Sequence, residues 1–371
     1  MTPDGFTMDL PAQRRERLAR MLPDEGVDAF LISSPVNVTY LTRFSGDSSM
    51  LILGRERAVL VSDPRYSQQI AEECGNLATH IRPAAQKLND AVGEALRELG
   101  HRDVGFESNG LYVSDLEALR AAAPTVNWKG GTERVERLRM VKDEWEIGQI
   151  REAIDIAERA FTAFRALLRP DDDERELAHR VESLVRHCGG QSTCFPTIVA
   201  VGPRAALPHA PPTKHRVAMS ELVLVDWGVT GPLSYKSDLT RVLTTRNISA
   251  KLKGVYAVVL KAQQRAIGAV RPGVQAQAVD AEARAVIAGA GFGEFFGHGL
   301  GHGLGLQVHE GPAVRPHSET VLEPGMVFTI EPGIYLPEWG GVRIEDDVLV
   351  TPDGCEVLTT TPRELEAMPA F

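Results

Sequence analysis

The stretch Leu222-Val-Leu-Val-Asp226-Trp-Gly-Val229, followed by Ser237-Asp238-Leu-Thr-Arg241, decides how this chain is read. The first segment is an apolar strand that ends on a carboxylate. The second opens a new strand after a turn marked by Gly231-Pro232. A hairpin between them would bring Asp226 and Asp238 across from each other. Two carboxylates so close repel unless cations sit between them.

Three more candidate ligands follow. Gly297-His298-Gly-Leu-Gly-His302-Gly-Leu-Gly305 is dense in glycine and histidine, and His309-Glu310 lies just beyond it. Glycine lets a backbone approach a site closely and adopt positive φ. No Gly-Lys-Ser/Thr ending follows, so the segment is not a phosphate loop. Thr329-Ile-Glu331-Pro-Gly333 sets a carboxylate at a strand end before a turn. Gly340-Gly-Val-Arg343-Ile-Glu345-Asp346 sets another inside a strand, with Arg343 and Glu345 on one face. Four carboxylates and one imidazole suit two hard divalent cations better than a thiolate-bound structural zinc. Such a pair polarises a carbonyl and generates a nucleophile at neutral pH, which points to a dinuclear metallohydrolase.

The chain has 371 residues, enough for two domains, with 43% hydrophobic and 24% charged content. A formal net charge of −10 excludes a basic nucleic-acid footprint and disfavours anionic membranes. No segment approaches the roughly 20 apolar residues that span a bilayer. The arginine-rich N-terminus reads as an amphipathic helix and not as a signal peptide. Cys74, Cys188, Cys194 and Cys355 show no CxxC pairing and read as thiols in a reducing, cytoplasmic setting.

The first part reads as α/β: helices over 14–25, 66–74, 88–99 and 113–122, and strands over 29–33, 49–53, 58–62 and 104–106. This predicts a mostly parallel or mixed covered sheet. Gly130-Gly131 marks the boundary, giving an N-terminal α/β domain over 1–133 and a catalytic domain over 134–371. The second part starts with helices over 144–168 and 174–188, then strands over 197–201, 222–229 and 238–245. Helices over 250–270 and 276–290 follow, then strands over 307–309, 326–330 and 342–350. The order helix–helix–strands thus occurs twice, as in a pseudo-symmetric α+β domain.

The segments quoted above, with Cys194-Phe-Pro-Thr-Ile-Val-Ala200, Ala206-Leu-Pro-His209 and Ile330-Glu-Pro-Gly-Ile-Tyr335, resemble those of the Xaa-Pro peptidases. That group holds aminopeptidase P and prolidase and has the pita-bread catalytic fold. Tyr40-Leu-Thr42, Phe44-Ser-Gly46 and Asp63-Pro64-Arg65-Tyr66 resemble the creatinase-type N-terminal domain. The resemblance implies that Asp226 and Glu345 serve one metal with Asp238, and that His302 and Glu331 serve the other, with Asp238 and Glu345 bridging. It makes Glu331 the acid/base. His209 and His309 would hydrogen-bond the substrate and the developing oxyanion, and His298 and Arg343 would orient carboxylates or substrate. It implies two divalent ions per subunit, Mn²⁺ first, with Co²⁺ or Zn²⁺ as substitutes. It also implies a homodimer acting on short proline-containing peptides, with no nucleic acid or membrane involved.

The intact ligand set argues against a metal-free hydrolase of this fold and against a peptidase-like binding module. Arg43, Met50, Val201, Arg204 and Trp227 depart from the family's usual residues, and they touch the substrate-side loops or the N-terminal domain. The Asp63-Pro64-Arg65-Tyr66 motif favours an Xaa-Pro aminopeptidase. The alternatives are an Xaa-Pro dipeptidase and a same-fold peptidase with a non-proline substrate.

Overall fold

A computed structural model describes residues 10–244 and 248–365. The chain divides into two compact units, Met1–Arg139 and Met140–Phe371. This division falls beyond the 133/134 border read from Gly130-Gly131, because those glycines lie inside a strand, Asn127–Gly131.

The first unit is built on β1 (Ala29–Ile32), β2 (Ser49–Gly54), β3 (Ala58–Ser62), β4 (Ala78–Ile81), β5 (Asp103–Glu107) and β6 (Asn127–Gly131). They form one six-stranded sheet in the order β4-β3-β2-β1-β5-β6. β1 pairs antiparallel with β2 and parallel with β5, so the sheet is mixed. Its helices are α1 (Leu10–Ala19), α2 (Pro35–Thr42), α3 (Ser67–Glu73), α4 (Leu88–Leu99), α5 (Val113–Ala122) and α6 (Arg134–Met140). Ala91, Val92, Ala95 and Leu96 of α4 pack on Leu31, Ile52 and Val104 of the sheet.

α2 is absent from the sequence reading, since its β-branched residues disfavour a helix. Pro35 at its first turn fixes φ for the helix. The amides of Ser33 and Ser34 donate to Glu107 Oε2, each at 2.7 Å, so a carboxylate from β5 caps the helix. Asp63 caps the short 3-10 turn Pro64–Tyr66 and takes the Arg65 guanidinium at 3.0 and 2.6 Å.

The second unit opens with α7 (Glu144–Ala166) and α8 (Glu174–His187), each started by a capping box on Asp143 or Asp173. Then come β7 (Ser192–Thr193), β8 (Ile198–Val201), β9 (Leu222–Trp227), β10 (Val229–Thr230) and β11 (Leu239–Thr244). The pattern recurs with α9 (Ala250–Ile267) and α10 (Ala276–Gly289). After these come β12 (Gly301–Gly303), β13 (Glu310–Val314), β14 (Val327–Ile330), β15 (Gly333–Leu336), β16 (Gly340–Arg343), β17 (Asp346–Thr351) and β18 (Gly354–Val357). β11-β9-β8 form one sheet and β13-β12-β14-β17-β18 another.

Four expected strands differ, and the one expected over 222–229 breaks at Gly228 into β9 and β10. Residues 307–309 are bends, and the strand starts at Glu310. The strand expected over 342–350 breaks at Ile344-Glu345. The strand expected over 238–245 runs over Leu239–Thr244, and Thr245 lies outside the described residues.

β9 is buried on both faces, as a covered strand must be. Val223, Val225 and Trp227 face Phe161, Leu177 and Val181 of α7 and α8. Leu222 and Leu224 face Val255, Val259 and Val279 of α9 and α10. Asp226 falls on that second face by alternation, so the core there ends on a carboxylate.

Candidate metal centre

β9 and β11 pair antiparallel with Asp226 opposite Thr240. Asp226 and Asp238 are therefore not directly across, as the hairpin reading expected. Asp238 precedes β11 by one residue and sits two positions from Thr240, so both aspartates share a face. β12 brings His302 to the same place, paired with Ala313 of β13. It lies tight against its neighbours. A Cβ at Gly301 would come within 1.9 Å of the Thr329 carbonyl oxygen, and one at Gly303 within 1.9 Å of the Gly311 carbonyl oxygen. Gly301 and Gly303 thus serve close approach, and among residues 297–305 none has a positive φ.

Asp238, His302 and Glu345 each offer a ligand atom, and these atoms all lie within 4.8 Å of one another. His302 Nδ1 lies 3.2 Å from the Gly303 carbonyl oxygen, which assigns the proton to Nδ1. Nε2 faces the carboxylates, 3.3 Å from Glu331 Oε1, to which it donates when protonated, and 3.7 Å from Asp238 Oδ2. Thr329 Oγ1 donates to Glu331 Oε1 at 3.1 Å and accepts from the His302 amide at 3.1 Å.

Arg343 Nη2 donates to Asp226 Oδ2, its Nε to Thr240 Oγ1 at 3.0 Å, and its Nη1 to the Tyr335 hydroxyl at 2.9 Å. The Thr240 hydroxyl donates to Glu345 Oε2 at 2.5 Å. The Tyr335 hydroxyl lies 2.9 Å from His298 Nε2, whose Nδ1 lies 2.7 Å from the Gly299 carbonyl oxygen. One proton assignment satisfies the whole chain: Arg343 to Tyr335, Tyr335 to His298 Nε2, and His298 Nδ1 to Gly299. The amide of Asp238 donates to Asp347 Oδ2 at 3.2 Å.

The electrostatics are those of crowded buried anions. Burial pushes Asp238 well above the carboxylate range, and Glu345 and Asp226 add to the push. Burial also pushes Glu345 well above, with Glu331 and Asp226 adding. Asp226 moves up less, because Arg343 opposes its burial. Glu331 goes the other way. Its burial is outweighed by the hydrogen bond and charge of His302, which hold it below its ordinary value. Burial lowers His298 and His309, keeping both neutral at pH 7, and burial pushes Tyr335 up to about 12.

Asp226 Oδ1 is buried with no hydrogen-bond partner among the described residues. Four carboxylates facing one guanidinium, one of them with an orphaned oxygen, fit divalent cations.

The structure thus gathers Asp226, Asp238, His302, Glu331 and Glu345. Arg343 and His298 join them through hydrogen bonds. The His309 ring meets His302 edge-on, with centroids 4.2 Å apart. His209 lies on an exposed loop. Sequence reasoning gave no role to Thr240, Thr329, Tyr335 or Asp347. Thr240, Thr329 and Asp347 carried one signal, since each lies two positions from a ligand candidate in an extended segment.

The model of metallopeptidase family M24 matches residues 148–352, and that of the creatinase/prolidase N-terminal domain matches residues 14–141. An Xaa-Pro dipeptidase of Pyrococcus horikoshii is 37% identical over 360 residues, covering 96% of this chain and 100% of that protein. The solved Xaa-Pro dipeptidase from Bacillus anthracis superposes with a TM-score of 0.92 at 36% identity, covering 96% and 99% of the two chains. The solved X-Pro aminopeptidase from Thermotoga maritima gives a TM-score of 0.87 at 35% identity, covering 94% and 99%.

Proposed function

This chain belongs to metallopeptidase family M24, with a creatinase-type N-terminal domain ahead of a pita-bread catalytic domain, and on that premise we propose that it is an Xaa-Pro dipeptidase. The observation that carries the reading is the convergence of Asp238, His302 and Glu345, with Asp226 and Glu331 beside them. The aminopeptidase reading gives way to the dipeptidase for two reasons. Near-full-length relatives bear the dipeptidase name. The Asp63-Pro64-Arg65-Tyr66 motif that favoured the aminopeptidase is engaged in its own cap and ion pair.

Asp226, Asp238, His302, Glu331 and Glu345 would hold two divalent ions, and their oxygen-rich set favours Mn²⁺. When bound, the ions supply Lewis acidity and a nucleophile at neutral pH. Glu331 takes the proton of the attacking water and returns it to the departing prolyl nitrogen. Thr329 fixes the orientation of Oε1. Neutral His309 donates to the developing oxyanion. His209 and the Arg343–Tyr335–His298 chain orient the substrate. The family resemblance supports a homodimer acting on short peptides in the cytoplasm. No described helix is long and apolar enough to cross a membrane.

The test offers Ala-Pro and Ala-Pro-Ala-Ala together to Mn²⁺-loaded protein and follows both by mass spectrometry. Loss of Ala-Pro alone supports the dipeptidase. Release of Pro-Ala-Ala returns the aminopeptidase, and no loss of either peptide overturns the Xaa-Pro reading.

A further inference from the structure

A buried carboxylate with no part in the chemistry above fastens the loop that carries His209. Glu174, the first residue of α8, is 0% exposed. Its Oε1 accepts from the amide of Val201, where β8 ends, at 2.8 Å. Its Oε2 accepts from the amide and hydroxyl of Thr213 at 2.7 and 2.6 Å. Arg204 Nε lies 3.1 and 2.9 Å from the two oxygens. Arg204 Nη2 reaches across to the Pro211 carbonyl oxygen. One carboxylate therefore ties residues on both sides of segment 207–212.

That segment reads Leu207-Pro208-His209-Ala210-Pro211-Pro212. Its prolines fix φ, so the loop is stiff between its fastenings. Ala210 is buried in the core of the unit. The preceding 3-10 turn, Gly202–Ala206, lies against β16: a Cβ at Gly341 would come within 2.0 Å of the Ala205 carbonyl oxygen. Arg343 ends that same strand. Among the described residues no hydrogen bond holds the His209 ring, so its placement comes from the loop backbone.

We propose that Glu174 and Arg204 clamp this loop and are positioning residues that hold His209 toward the substrate. The proposal rests on the hydrolytic reading of the site given above. A carboxylate at a helix N-terminus also stabilises the helix by itself. The distinguishing member is thus Arg204, which spans both ends of the loop.

The test is a cycle of Arg204→Met and His209→Ala in metal-loaded protein, read as kcat and KM on Ala-Pro, with amide hydrogen exchange over segment 201–213. Arg204→Met is expected to lower kcat/KM by about ten- to a hundredfold, the effect of a displaced positioning group. In the His209→Ala background it is expected to add nothing, and exchange is expected to quicken in 201–213 while α9 and α10 stay unchanged. Equal losses in both backgrounds overturn the clamp, because a general structural role is additive. Unchanged exchange in 201–213 also overturns it. Should the Met variant fail to fold, Arg204→Lys keeps the charge but cannot reach both ends, and it is expected to show the same coupling at smaller size. Wild-type activity and exchange in the Lys variant would refute the proposal. A wild-type protein inert toward proline peptides sinks the Xaa-Pro reading, and the exchange measurement still decides the clamp.

Discussion

Replacing Thr240 by Val keeps the shape of a fully buried side chain and removes one hydroxyl. That hydroxyl donates to Glu345 Oε2 at 2.5 Å and accepts from Arg343 Nε at 3.0 Å. A hydrogen bond to a charged group contributes about 1.5–3 kcal/mol. Part of the loss falls on the folded protein whether or not metal is present, since Arg343 Nε is left without its acceptor. The part that reaches the metal is the freed Glu345 carboxylate. Removing an orienting partner of a ligand costs about 10–100-fold in metal affinity, or about 1.4–2.7 kcal/mol. That range matches the loss of one charge-assisted hydrogen bond. The assay titrates activity against buffered free Mn²⁺ and repeats the titration by calorimetry. A weakened apparent Kd is expected, with kcat largely recovered at saturating metal. An unchanged Kd, or a kcat deficit that metal does not restore, would refute this role for Thr240.

Glu331→Gln is expected to abolish turnover of Ala-Pro while leaving the circular dichroism spectrum and melting behaviour intact, and near-normal activity would remove Glu331 as the acid/base. Exhaustive chelation is expected to silence the protein and Mn²⁺ to restore it; full activity with no metal found by elemental analysis contradicts a metal mechanism. The Arg65 side chain, with the Arg65 amide, holds Asp63 well below the usual carboxylate range, so the folded state binds that proton more weakly than the unfolded chain. Its contribution is complete above about pH 4, the unfolded value, and is lost as the pH falls toward the folded one. The stability gap between the protein and Asp63→Asn in urea should therefore be wider at pH 6 than at pH 3, and an equal gap at both would show the pairing to be inert.

The candidate ligand residues were legible because their chemistry is at odds with their surroundings. Asp226 ends an apolar strand, and His302 and Glu331 sit beside glycine turns, so each demands an explanation beyond packing. Thr240 demanded none, because threonine is ordinary in a strand, and only its hydrogen bonds to Glu345 and Arg343 give it a task. Tyr335 likewise reads as core, and its link from Arg343 to His298 crosses three separate segments. α2 was invisible for a related reason. Its start is secured by Glu107, 73 residues beyond Ser34, so no local pattern contains the signal. Residues 307–309 failed in the opposite sense: an apolar run resembled a strand, yet the chain is still turning there between β12 and β13. The boundary near Gly130-Gly131 misled because paired glycines resemble a linker, while here they continue β6 beside β5.

Trp227 follows Asp226 in β9, and its indole N–H donates to the Ala157 carbonyl oxygen at 3.1 Å. Its ring stacks on Phe161 with centroids 4.1 Å apart and planes 12° from parallel. Trp128, Trp145 and Trp339 are half-buried, whereas Trp227 is sealed from water at 0% exposure. The protein thereby carries an optical probe one peptide bond from a candidate ligand. A variant keeping Trp227 as its lone indole would emit at the blue end of tryptophan fluorescence, and any shift of β9 as cations load would register as a change in light, with no substrate present.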